Sequence, residues 1–370
     1  MIAKAWPRDP VSLGGRTKDM GTSLALDGRK TLGQASTTNR IPAFDFTKGA
    51  LVLFMVLYHW LNYFYKPEGQ IYNYLRFLTP SFIFITGFLI SHVLVSKYGI
   101  ANSQLPTRLF LRGLKLLGVF VVLNLLIDFV SPHSSARTML VARSSWANLS
   151  AIFVSGNVYV DRTSKAASFA ILVPISYLLL ISSLLLKTSN FFKYSFHVVC
   201  GLLLLCILIL SLCGIHSVNL EHLTVGLLGV VCGYASGAEV LIVTHKSGVV
   251  LLYCLYLAAI TAWDVPFPLR VAGVFLTVAL IFMVGTKSGE LGRLGRHIVV
   301  LGKYSLFGYV SQIAILQLLH RTLGQHNQSV GAMGVSFFGG FALTMLSVEA
   351  VDRMRPKSVA VDRLYRFVFA

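Results

Sequence analysis

The sequence predicts an all-α membrane protein, a polytopic bundle of about ten transmembrane helices with both termini in the cytoplasm. Of its 370 residues, 55% are hydrophobic and only 12% are charged, and the interior of a soluble domain of this size cannot hide so much apolar surface. The apolar residues gather into runs of about 20, the length that crosses about 30 Å of hydrocarbon as a helix. Lys and Arg are concentrated in the tails and in alternate loops, which places both termini inside.

The ten predicted spans follow a polar segment, residues 1–39, which we expect to be a disordered cytoplasmic tail. The membrane domain is predicted to cover residues 40–357, and residues 358–370 form a second cytoplasmic tail. The longest outer loop, 131–166, has no assigned role. The predicted spans lie at 45–65, 75–96, 109–130, 167–187, 195–214, 222–243, 248–263, 267–286, 298–319 and 330–351.

The net charge of +18 does not indicate nucleic-acid binding, because the basic residues are scattered over short loops and tails rather than gathered on one module. All five cysteines lie inside apolar runs, which favours packing or lipid contact over disulfides or zinc. The chain has no HExxH, CxxC, Gly-rich phosphate loop or Gly-x-Ser-x-Gly motif. We therefore expect no metal.

The first span carries three ionisable side chains, Asp45, Lys48 and His59, in "FDFTKGALVLFMVLYHW". On an α-helix, Lys48 and His59 fall about 20° apart and Asp45 falls about 40° from His59, so the three share one face. One interpretation is a cavity crossing the bilayer in which a neutral His59 acts as general base. The alternative is separate roles, with Asp45 as a helix cap, Lys48 snorkelling and His59 at the interface.

Three further segments place polar groups in or beside spans. Thr86 belongs to a cluster with small and helix-breaking residues in "LTPSFIFITGFLIS", which favours either close packing or a kink at a cavity. Arg108, Arg112 and Lys115 share a helix face, either as a membrane anchor or as a clamp for phosphates. The last segment, "LGKYSLFGYVSQ", contributes the polar side chains Ser305, Tyr309 and Gln312, for which hydrogen bonding between helices is the alternative.

Taken in order, these segments resemble the acyltransferase-3 family of integral membrane acyltransferases, including periplasmic glucan succinyltransferases. The family opens its first span with Asp, Arg and Gly followed by His after ten residues, which Asp45, Lys48, Gly49 and His59 match with Lys in place of Arg. "FIFITGFLIS" is similar to its second span, and Arg112 with Lys115 to its third. "LGKYSLFGYVSQ" is similar to a late motif in which Gln312 replaces His, and "SVEAVDRMRP" to the family's ending.

The resemblance implies transfer of an acyl group from cytoplasmic acyl-CoA, as acetyl-CoA or succinyl-CoA, to a hydroxyl of an extracytoplasmic carbohydrate at a bacterial inner membrane. His59 and Asp45 would be catalytic. The donor would be bound by Lys48, Arg108, Arg112 and Lys115. The cavity or substrate would be contacted by Thr86, Ser305, Tyr309 and Gln312. The main alternative is a transporter or flippase for a glycan or lipid-linked substrate, since a row of ionisable side chains in a span can also relay protons. A purely structural protein would leave the shared polar face of the first span unexplained.

Overall fold

The computed structural model describes residues 41–65, 69–99, 104–130, 146–156, 168–188, 194–235, 248–263, 265–323 and 329–369. Within these ranges the chain is helical, with no β-strand, which confirms the all-α prediction. The predicted tail at 1–39 and most of the 131–166 loop lie outside the described residues.

Six helical segments within the described residues are long and apolar enough to cross a membrane, and a bent pair makes a seventh if it counts as one span. The structure thus has the helices of a multi-pass membrane protein. Three predicted spans correspond to shorter apolar helices of 15 to 17 residues, which reach only about 22–26 Å at 1.5 Å per residue. The α-helices, numbered in chain order, are α1 Pro42–Trp60, α2 Leu78–Leu89, α3 Gln104–Val130, α4 Trp146–Ser150, α5 Leu172–Thr188, α6 Ser195–Leu212, α7 Val218–Cys232, α8 Gly248–Ala262, α9 Phe267–Thr286, α10 Gly292–Lys303, α11 Ser305–Leu323, α12 Val330–Met354 and α13 Val359–Phe369.

The predicted ninth span, 298–319, is divided in the structure. Helices α10 and α11 meet at Tyr304 and bend by 94°. Helix α10 is amphipathic, with Leu291 and Leu294 exposed beside its basic residues, which is typical of a helix at a membrane interface. Helix α11 has 19 residues, or about 28 Å, and it counts as a candidate span only together with α10.

Helices α1, α2, α5 and α7 form the centre of the bundle, and α6, α8, α9 and α12 lie further out. In the segment Ile71–Tyr98, which contains α2, 61% of the most apolar stretch is buried, against 17% for α6. On α6 most of the exposed side chains are leucine and isoleucine, with Leu208 57% accessible. A soluble protein rarely exposes so continuous an apolar surface, so we assign this outer surface to lipid contact.

Glycines allow the central helices to approach at backbone distance. A Cβ built on Gly302 of α10 would overlap the carbonyl oxygen of Asp45 on α1, and one built on Gly49 would overlap that of Ile298. In the same way, a Cβ built on Gly87 of α2 would overlap the carbonyl oxygen of Gly226 on α7. Small residues at helix crossings are the usual means of tight packing in membranes.

Three helices pass into a π-helical turn. These turns are Leu61–Tyr65 after α1, Ile90–Val95 after α2 and Ala151–Ser155 after α4. Such turns are rare and frequently lie at functional sites. The first two contribute lining residues to cavities described below, and the third ends one residue before Gly156, which lines one of them.

The segment before α5 is held by Asn124 of α3, which is fully buried. Its side-chain amide donates to the Ser168 carbonyl at 3.0 Å, and its oxygen accepts from the Ser168 N–H at 2.7 Å. The next residue, Phe169, has φ of 57°, an uncommon conformation for a bulky side chain. Asn124 therefore fixes the strained turn that carries Phe169 and Ile171 into the bundle.

The C-terminal segment predicted as a tail contains α13, which is amphipathic and lies beside α3 and α11. Arg355 donates to Asp362 at 2.7 and 2.9 Å, and this hydrogen bonding holds the pKa of the Asp362 carboxyl below its usual value. The Arg355 guanidinium also stacks over the Tyr365 ring at 4.2 Å. These contacts fix the start and middle of α13 against the membrane helices.

Candidate active site

The first two predicted site residues, Asp45 and Lys48, form an ion pair one turn into α1. Lys48 Nζ lies 2.7 Å from Asp45 Oδ1, and the two side chains are 21% and 13% accessible. Asp45 does not cap the helix, because α1 begins at Pro42 with Ile41 at the N-cap position. Lys48 is thus held by a carboxylate on its own helix.

A cavity of about 180 Å³, the Lys48 cavity, opens beside this pair. Its walls come from α1, α2, α3, α5 and α11 and are otherwise mainly leucine and isoleucine. Five of the predicted site residues contribute to its lining: Lys48, Thr86, Arg112, Ser305 and Tyr309. The two cations bring positive charge to a cavity whose other walls are largely apolar.

The structure separates the three basic residues at the start of α3. Arg112 lines the Lys48 cavity and remains solvent-accessible. Arg108 instead donates to Gln104 at 3.1 Å and lies over the Tyr98 ring. Lys115 donates to the carbonyl oxygen of Arg366 on α13 at 2.7 Å. Arg108 and Lys115 are therefore outside the lining of this cavity.

A second cavity of about 420 Å³, the His59 cavity, lies toward the other end of α1. His59 shares its lining with Tyr63 on the π-helical turn and with Asn219 and His222 on α7. The side-chain amide of Asn219 donates to the carbonyls of Ile152 and Phe153 at 2.9 and 3.0 Å. Part of the predicted outer loop thereby packs on the start of α7 and helps to close the cavity.

The two cavities are separated by Tyr309 and Ile171, the residues that line both. Tyr309 is 7% accessible, and its ring centroid lies 6.3 Å from that of His59 and 6.0 Å from that of Phe169. A lysine and an arginine thus lie on one side of this wall and a histidine on the other.

The remaining predicted residues, Asp45 and Gln312, line neither the Lys48 cavity nor the His59 cavity. Asp45 precedes it by 14 residues on one continuous helix, or about 21 Å of rise, so its carboxylate does not reach the imidazole. Gln312 is fully buried, and within the described chain neither atom of its amide has a hydrogen-bond partner. It is not part of the lining of either cavity.

Several polar residues near His59 were not predicted, namely Tyr63, Asn219, His222, Arg76 and Arg270. Arg270 forms an ion pair with Glu221, which precedes His222 on α7. The sequence signal for this group was present: Glu221 and His222 lie at the edge of the predicted sixth span and Arg270 inside the eighth. Charged residues in spans are candidates for function.

The fold and these cavities are those of a multi-pass helical membrane protein with two cavities between its helices, each lined by ionisable side chains. Comparison with known proteins assigns it to no family, since no family model, curated protein or solved structure matches the chain. Across the described residues, no three His, Cys, Asp or Glu side chains gather as a metal site would require.

Proposed function

We propose that this protein is a membrane O-acyltransferase. It moves an acyl group from cytoplasmic acyl-CoA to a hydroxyl of an extracytoplasmic carbohydrate. The proposal rests on the resemblance of its motifs to the acyltransferase-3 family and on one structural observation. The cationic Lys48 cavity and the His59 cavity adjoin, with Tyr309 and Ile171 in the lining of both.

The proposed topology has ten spans with both termini in the cytoplasm. The shorter helices α5, α7 and α8 cross as spans, and α11 is the crossing part of the bent pair. In this orientation the Lys48 cavity opens toward the cytoplasm, where acyl-CoA is found, and the His59 cavity opens toward the opposite compartment. The basic side chains of the loops then follow the positive-inside rule.

The Lys48 cavity fits the acyl end of the donor. Its volume of about 180 Å³ is below the range of about 300–1,000 Å³ that encloses a drug-sized ligand. It therefore holds the acyl group and part of the pantetheine arm, while the nucleotide stays outside. Arg112 at the opening is suited to the phosphates, since its guanidinium pairs with phosphate oxygens in a bidentate manner.

The chemistry assigned to His59 is proton transfer. Its neutral imidazole accepts the proton of the acceptor hydroxyl as the oxygen attacks the thioester carbonyl. The C–S bond then breaks, the acyl group remains on the oxygen as an ester, and the CoA sulfur leaves as a thiolate that takes up a proton. Transfer requires Tyr309 or Ile171 to move, because these side chains separate donor from base.

The test is acyl transfer by purified protein in detergent, with radiolabelled acetyl-CoA or succinyl-CoA and extracted cell-envelope glycans. We expect His59→Ala to reduce transfer by at least about 100-fold, the lower contribution of a general base, without loss of donor binding. His197→Ala is the matched control, because His197 is exposed on α6 and lines none of these cavities. Transfer by His59→Ala at the wild-type rate would contradict the mechanism. Failure of the wild-type protein to bind acyl-CoA would favour the transporter.

A further inference from the structure

A third pocket of about 290 Å³ adjoins the His59 cavity. It shares three lining residues with that cavity, Tyr58, Thr79 and His222. We call it the Arg76 pocket, after the arginine in the turn before α2. A molecule bound near His59 can therefore extend into the Arg76 pocket.

The Arg76 pocket carries positive charge, and no acidic residue of the described part of the chain lines it. Its ionisable lining residues are Arg76, Arg270, His222, Tyr58 and Tyr72. Glu221, the partner of Arg270, lines a different, largely apolar pocket on the other side of that arginine.

Both arginines retain hydrogen-bond donors. Arg76 is exposed, and its side chain has no partner in the described part of the protein. Arg270 donates one Nη1 hydrogen to Glu221, while its Nε–H is buried and has no acceptor among the described residues. A buried donor without an acceptor is unfavourable, so an oxyanion within reach of this N–H would satisfy it.

We infer that the Arg76 pocket is an anion subsite for the acceptor and that the acceptor glycan carries a carboxylate or phosphate close to the hydroxyl that is acylated. This inference rests on the proposed function, because it takes the molecule in the His59 cavity to be the acceptor. Arg76 binds the oxyanion, Arg270 supplies a second donor, and the anion orients the sugar so that one hydroxyl faces His59. Arg76 is thus a specificity-determining residue.

The first experiment measures binding without catalysis. Thermal unfolding of the purified protein is followed with methyl glucuronide, glucose 1-phosphate and methyl glucoside, which present a carboxylate, a phosphate and no charge. We expect one of the two charged sugars to raise the melting temperature and methyl glucoside to have little effect. Arg76→Gln should lower the affinity for the charged sugar roughly tenfold, because one charge-assisted hydrogen bond of about 1.5 kcal/mol is lost.

Two variants make the result specific. Arg76→Lys keeps the charge and should retain part of the affinity for the charged sugar. If Arg76→Gln does not fold, Arg76→Lys is the variant that tests the role of Arg76. Arg293→Gln is the matched control, because Arg293 is an exposed arginine on α10 that lines none of these pockets. Equal stabilisation by charged and neutral sugars, or no effect of either Arg76 variant, would overturn the inference. Stabilisation by phosphatidylglycerol but by neither charged sugar would also overturn it and assign the pocket to lipid.

The second experiment separates this inference from the proposed function. Acyl transfer from acetyl-CoA or succinyl-CoA is measured with the same three sugars. If the KM is the same for charged and neutral sugars and Arg76→Gln does not change it, the protein is an acyltransferase without this anion subsite. Arg76-dependent binding of a charged sugar with no transfer to any of the three would support the subsite and count against the acyltransferase.

Discussion

At the scale of single residues, the two cations of the Lys48 cavity differ in whether an acidic side chain is paired with them. Lys48 is already paired with Asp45 at 2.7 Å, so part of its charge is neutralised within α1. Arg112 has no acidic partner in the described part of the chain. Arg112 is therefore the side chain with more capacity to attract an anionic donor.

We expect Arg112→Gln to raise the KM for acyl-CoA by roughly tenfold, since a charge-assisted hydrogen bond to phosphate contributes about 1.5 kcal/mol or more. Arg108→Gln is the matched control, four residues earlier on the same helix but directed to Gln104 and Tyr98. Steady-state kinetics over a range of donor concentrations will measure both. An equal increase for the two variants would mean that α3 acts only as a basic surface.

The sequence could not separate Arg112 from Arg108 and Lys115. Spacings of four and three place all three within about 60° on a helix, and the pattern contains nothing about the neighbouring helices. The difference arises because Gln104 and Tyr98 contact Arg108 and because α13 contacts Lys115. The Gln104 contact is a local i,i+4 pair within α3, whereas the contacts with Tyr98 and with α13 depend on tertiary structure.

At the scale of helices, glycine crossings set the position of α1. Its contact with α10 is at backbone distance around Gly49 and Gly302. Since Lys48 precedes Gly49, a change in this crossing would move the lysine as well. The crossing therefore positions the first cavity in addition to stabilising the bundle.

Gly302→Ala should lower the free energy of unfolding by about 1–3 kcal/mol, the usual cost of overpacking, because its Cβ would meet the Asp45 carbonyl. Gly118→Ala is the control with the opposite expectation. A Cβ at Gly118 on α3 meets nothing within 4 Å, and alanine in a helix is favoured over glycine by about 0.5–1 kcal/mol. Unfolding in detergent will compare the two, and a loss of stability in both would indicate that the crossing has no special role.

At the scale of the whole molecule, the sequence predicted the helical membrane fold but not how each span is built. Apolar runs identify helices because lipid requires backbone hydrogen bonds to be satisfied within them. The bend at Tyr304 was not predicted from the sequence. The apolar residues from 298 onward form one continuous run, so the end of the basic helix 292–303 was included in the predicted span. The segments around His59 were partly predictable, whereas the contribution of α7 and α9 depended on helix packing.

The ten-span topology predicts opposite sides for the two ends of the bent pair. In a cysteine-free protein, Gly331→Cys should react with a membrane-impermeant maleimide in intact cells, and Gly289→Cys only after the membrane is opened. Both glycines have open space where the new side chain would lie. Labelling of both from the same side would mean that α11 does not cross, and the assignment of the two cavities to opposite compartments would be wrong.

The π-helical turns have a consequence for how such a protein could diversify. Each turn holds one residue more than an α-helical turn would, so deleting a single residue could restore regular geometry without unfolding the flanking helix. Side chains beyond the deletion would rotate by about 100° relative to those before it. In the turn after His59, Asn62 and Tyr63 would then leave the cavity wall. A one-residue gap at 61–65 in an alignment of relatives would therefore mark a protein whose His59 cavity has a different lining.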